Sequence, residues 1–183
     1  MKNLIFFSAI ALTGVYCFSF ITPSPNARKN SDPVVIILTD SARSAEIHCE
    51  KTGNIWTVSS GSAEAYLDQI AASMDKTDLY PFVDIRLEFA SDFSAGSLTG
   101  FGVTPDGKKV PVGVVFKSGS TSGQTLTMYS EEEHSCTAAP CSCCEFIKRE
   151  GRIIGCKCGA DPECQASAQD RCNHTVKTKT TGQ

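Results

Sequence analysis

Val83-Asp84-Ile85-Arg86-Leu87-Glu88-Phe89 decides how this chain is read. Apolar and charged residues alternate with a period of two, the pattern of a strand with one face on a core and the other in water. One-sided strands of this kind belong to antiparallel sheets. Upstream, past Tyr80-Pro81, the period changes: Ala63, Tyr66, Leu67, Ile70, Ala71 and Met74 recur at helical spacing, with Ser62 placed to cap the N-terminus and Glu64 in the first turn. Such an apolar stripe covers a sheet.

Further strands flank this pair. Residues 34–38 form a continuous aliphatic run, and Ile47 with Cys49, followed by residues 55–58, reads as a hairpin across Lys51-Thr52-Gly53-Asn54. Downstream, residues 98–104 and 110–116 flank the turn Pro105-Asp106-Gly107-Lys108, with Pro111 and Gly113 marking an edge or a bulge. Residues 125–129 add another strand, and the polar stretch 118–123 between them reads as a long hairpin loop or mobile tip. The expected fold is α+β: a small two-layer body over residues 31–130, with a mainly antiparallel sheet and one helix, followed by a cysteine-rich, disulfide-stabilised module over 131–175 and a frayed tail over 176–183.

Residues 1–30 hold Lys2, Arg28 and Lys29 and no acid, around an apolar run from residue 4 to 21. Charge first, apolar run next and Thr22-Pro23-Ser24-Pro25 after it describe a signal peptide over residues 1–27, with an uncleaved N-terminal anchor as the alternative. Cys17 raises lipidation, but Tyr16 occupies the position where lipidation signals carry a small residue. The membrane is therefore expected as a partner only through this segment, if it is retained or lipidated. The expected location is secreted, periplasmic or at the cell surface.

The chain of 183 residues carries 17 basic and 20 acidic groups, so it lacks the basic excess that binding a phosphate backbone demands, and nucleic acid is excluded as a partner class. Charge is unevenly spread. Residues 31–133 hold seven basic and fifteen acidic groups, while 134–183 hold seven and five.

Eight of the ten cysteines fall between positions 136 and 172: Cys136, Cys141, Cys143, Cys144, Cys156, Cys158, Cys164 and Cys172. Apolar residues there are too sparse for a core, so cross-links must replace one. Residues 145–155 read as a hairpin turning at Glu150-Gly151. A two-residue loop opposes Arg149 to Arg152 and Cys143 to Cys158, and a three-residue loop opposes Cys144 to Cys156. In an oxidising compartment these thiols form up to four disulfides, each worth roughly 2 to 4 kcal/mol, with 105 possible connectivities. The alternative is a metal-binding or metal-handling protein, with Cys141, Cys143, Cys156 and Cys158 on one face, His134 and His174 beside them, and zinc or copper bound. The export signal favours disulfides and no cofactor.

Candidate catalytic sets are thin. Asp40, Ser41, His48 and Cys49 are close in sequence, but His48 and Cys49 point to opposite faces of a strand, with Cys49 expected in the core and His48 on the surface. Asp84 and Glu88 share a strand face around Arg86, the pattern of a solvated charge ladder. No catalytic residue is assigned. The expected function is that of an exported, non-enzymatic binding or structural module, its partner a cell-surface protein.

Overall fold

The computed structural model describes residues 32–52, 55–138, 143–159 and 172–179. Its elements run β1 (Asp32–Thr39), β2 (Ser44–Thr52), β3 (Ile55–Val58), α1 (Ser60–Ser73), β4 (Phe82–Phe89), β5 (Ala95–Val103), β6 (Lys109–Ser122), β7 (Thr125–Ala138), β8 (Cys144–Arg149), β9 (Arg152–Cys158) and β10 (Cys172–Thr178). The signal segment and Cys17 lie outside the described residues, as do Cys141 and Cys164.

The expected two-layer α+β body is not what forms. The chain is mostly strand, and the main sheet, in the order β3-β2-β1-β7-β6-β5-β4, curls until its two ends meet in a nearly closed barrel. Two features account for the difference. Strands as long as β6 and β7, of 14 residues each, carry enough right-handed twist to coil a sheet rather than leave it flat. Moreover, β1 pairs with the first half of β7 in parallel, Val35 opposite Thr125 to Thr39 opposite Tyr129, which returns the β1–β3 meander to the far side of the curl. At the remaining seam Trp56 of β3 packs in a tilted arrangement against Phe89 of β4 with ring centroids 4.8 Å apart, and Lys51 caps Trp56 and Phe93.

Helix α1 fills the concave side, touching β2, β4, β5 and β6. The residues of its predicted stripe, Ala63, Tyr66, Leu67, Ile70, Ala71 and Met74, are all in the core, with Ile36, Leu38, Ile47, Leu98, Val114 and Phe116 around them. The helix begins two residues before the expected cap. Ser59 holds the N-cap position without a side-chain bond, and Glu64 instead accepts the Phe82 backbone N–H at 3.1 Å.

Strand β4 confirms the alternation with one displacement. Asp84 adopts a left-handed φ of 53°, and pairing with β5 slips between Val83 and Arg86. This bulge puts Phe82 in the core where strict alternation had placed Val83. The polar stretch 118–123 is also not a loose loop: β6 continues to Ser122 and turns at Gly123, whose φ is 59°. The Tyr129 ring lies against Gly119, covering a position that has no side chain of its own.

On its second edge, β7 pairs first with β1 and then with β10, whose Cys172–Thr178 runs antiparallel to Glu132–Ala138. One unbroken strand thus joins the barrel to the cysteine-rich segment. Residues 176–178, expected to be frayed, are paired strand, and the Lys179 N–H donates to Glu131 O at 2.7 Å. The backbone groups of β7 beyond β1 need partners, and the tail supplies them.

Candidate functional site

The β8–β9 hairpin turns at Glu150-Gly151 as the sequence predicts, with φ values of 49° and 73° suited to a two-residue turn. Arg149 opposes Arg152, but a bulge between Ile147 and Lys148 shifts the rest of the ladder by one. Cys144 therefore opposes Cys158, and not Cys143.

This hairpin lies over the outer face of β5, β6 and β7 and is fixed there in three ways. Two disulfides bind it: Cys136 of β7 to Cys156 of β9, with Cα atoms 6.1 Å apart, and Cys144 of β8 to Cys172 of β10, at 5.9 Å. Close packing holds it, with Ile153 seated over Gly113 and the Gly151 backbone against that of Phe89 and Ala90. Polar contacts align it: the Lys148 ammonium donates to Glu88 Oε1 at 2.7 Å and to Thr99 Oγ1 at 3.0 Å, and Arg152 reaches Glu131 at 3.2 Å.

Between hairpin and sheet an open groove of about 420 Å³ remains. Asp84 and Arg86 of β4, Thr99 and Phe101 of β5, and Lys109 and Pro111 of β6 form one wall. Cys143, Cys144, Glu145, Phe146 and Lys148 form the other. The β4 bulge lies on its rim. Lys109 stands 3.7 Å from Asp84, Lys148 is engaged by Glu88, and Arg86 makes no ion pair among the described residues. The groove is therefore lined by a guanidinium with no ion pair among the described residues and by Phe101 and Phe146, a combination suited to a carboxylate on a partly apolar partner.

The sequence-predicted residues are distributed differently. Asp84 and Arg86 line the groove, whereas Glu88 pairs with the hairpin, so the two carboxylates do not share one site. Asp40 accepts the backbone N–H groups of Ala42 and Arg43 at 2.7 and 2.8 Å, His48 is exposed, and Cys49 is buried. That set does not assemble. Burial pushes the Cys49 thiol up to about 11, which leaves it protonated and inert.

Cys143 and Cys156 are disulfide-bonded, so their sulfurs are not available as thiolates for a Cys141, Cys143, Cys156 and Cys158 face. Among the described residues no group of three or more His, Cys, Asp or Glu side chains is arranged to hold a metal ion. His134 and His174, set beside the thiolates in the metal-binding alternative, stack on each other across β7 and β10 with His134 Nδ1 3.0 Å from His174 Nε2. His134 is only 2% exposed, and its Nε2 lies 3.4 Å from Glu132 Oε2 without forming a hydrogen bond. Burial, followed by the positive charges of His174 and Arg152, pulls its pKa down to about 4. The pairing of β10 with β7, which brings residues 40 apart into contact, was the signal that sequence reading lacked.

Comparison with protein-family models, curated proteins and solved structures finds no match to this chain.

Proposed function

We propose that this is an exported, non-enzymatic binding protein that takes an acidic segment of an extracytoplasmic partner into the groove between barrel and hairpin. The observation that carries this reading is Arg86: a guanidinium with no ion pair among the described residues, on a groove whose hairpin wall is tied by disulfides to β7 and β10. A preformed groove loses little conformational entropy on binding. The disulfides are compatible with an oxidising compartment, the residue 1–30 pattern supplies the route of export, and the paired tail keeps the module against the barrel.

A photo-crosslinking residue placed at Lys109, and at exposed Asp68 as control, tests this in cells that make the full chain with its own leader. The expected result is a discrete adduct from Lys109 that disappears with Arg86→Glu, none from Asp68, and the chain in the extracytoplasmic fraction. No adduct from Lys109, or equal adducts from both positions, contradicts the binding role. A cytoplasmic, fully reduced chain contradicts export.

A further inference from the structure

Away from the groove, inside one end of the barrel, four charged side chains converge. Glu133 of β7 is completely buried and Asp40 is 2% exposed at its side chain. Arg43 bridges them, donating to Asp40 Oδ2 at 2.9 Å and to Glu133. The fourth charge comes from the tail, where Lys179 Nζ sits 2.9 Å from Glu133 Oε1 and 3.4 Å from Asp40 Oδ2. Ser73 at the end of α1 donates to the other oxygen of Glu133. Beside this cluster are the buried hydroxyls of Tyr66 and Ser130, which neighbour each other without completing a hydrogen bond. The Arg43 guanidinium lies over the Tyr66 ring, 6.0 Å from its centroid.

Two buried carboxylates and one guanidinium leave one negative charge. A buried charge without a partner is strongly unfavourable, so the chamber requires one further cation. Arg43 already fills the planar, bidentate position. The remaining position lies between Glu133 Oε1 and Asp40 Oδ2, 2.9 and 3.4 Å from the Lys179 ammonium, and a compact cation with rotatable donors suits it better than a second planar fork. We propose that this chamber is a binding site for a primary alkylammonium group, which the chain fills with its own Lys179.

The construction of β10 gives the site a means of exchange. The strap is tied covalently at its start, by Cys172 to Cys144, and ionically at its end, by Lys179. Between them Asn173, Thr175, Val176, Lys177 and Thr178 have exposed side chains, while His174 stacks on His134 and Lys177 Nζ donates to Ser73 O at 2.8 Å, so peeling from the ionic end must break the outer rungs of the β7 ladder and is checked at His174. Opening withdraws Lys179 while the disulfide keeps the strap attached, and the vacated chamber accepts a lysine side chain or a free amine.

Chemical rescue tests the proposal. Lys179→Ala in the full, oxidised chain removes a propylammonium fragment and is expected to lower Tm by several degrees. n-Propylammonium chloride is expected to restore it saturably, while tetramethylammonium chloride at equal ionic strength has no effect and the unsubstituted protein does not respond. If Lys179→Ala does not fold alone, refolding is compared with and without n-propylammonium, and recovery only with the amine supports the site. An unchanged Tm in the variant, rescue by both salts alike, or no recovery with the amine overturns it.

Discussion

Ile153 Cδ1 occupies the space in which a side chain at Gly113 would begin: a β-carbon there would lie 2.8 Å from it, 2.9 Å from Thr99 Cγ2 and 3.1 Å from Leu98 O. The hairpin rests on the barrel because β6 has no side chain at this point. Gly113→Ala is therefore expected to destabilise the fold by about 1 to 3 kcal/mol, the usual cost of overpacking. Ile153→Ala makes room, so a double-mutant cycle by urea denaturation should give a combined loss smaller than the two single losses together. Additive losses would place the hairpin elsewhere.

Stability should fall on acidification through the His134 range. The folded-state pKa of this residue, about 4, lies below the ordinary 6.5, so between those values the unfolded chain binds the proton and the folded chain does not. Stability contributed by neutral His134 is complete above pH 6.5 and is lost as pH falls toward 4, by an amount on the order of 3 kcal/mol at most. His174, also lowered by burial, acts in the same direction. Urea midpoints across this range should show the slope in the unsubstituted protein and a shallower one in His134→Gln.

Arg43→Met should be among the most damaging single substitutions. It leaves Glu133, with no exposed surface, and Asp40 to share the single cation of Lys179, and removes the anchor from Arg43 to Gln69 O at 2.9 Å. Stranding a buried charge costs about 3 to 5 kcal/mol. Chemical denaturation would measure it, and the loss should shrink when Glu133→Gln is added.

Cys49 should not react with thiol reagents in the native protein. It is 3% exposed, packed in the core and protonated at neutral pH. Native-state labelling by iodoacetamide is expected to be the same in Cys49→Ser as in the unsubstituted chain, with a difference only after denaturation.

The parts of this fold legible in the sequence are those fixed by neighbours a few residues apart. The stripe from Ala63 to Met74, the burial of Cys49 and the Glu150-Gly151 turn depend on helical spacing, strand parity and turn chemistry. The displacement of Val83 by Phe82 was hidden because the left-handed residue at the bulge is Asp84 rather than glycine. Barrel closure depends on the parallel pairing of Ile36 with Leu126, which no local pattern encodes. The groove was illegible for the same reason: Arg86 and Phe146 line one groove only after the hairpin folds back over the sheet. Lys179 looked like part of a polar tail, and only the burial of Glu133 shows why a cation is needed there.

Sulfur ties the hairpin over the barrel, and a non-reducing peptide map of the purified protein, alkylated before digestion, tests this most directly. The predicted result is one linked pair containing Cys136 with Cys156 and another containing Cys144 with Cys172. Finding these four cysteines alkylated, or joined in another pattern, would contradict it.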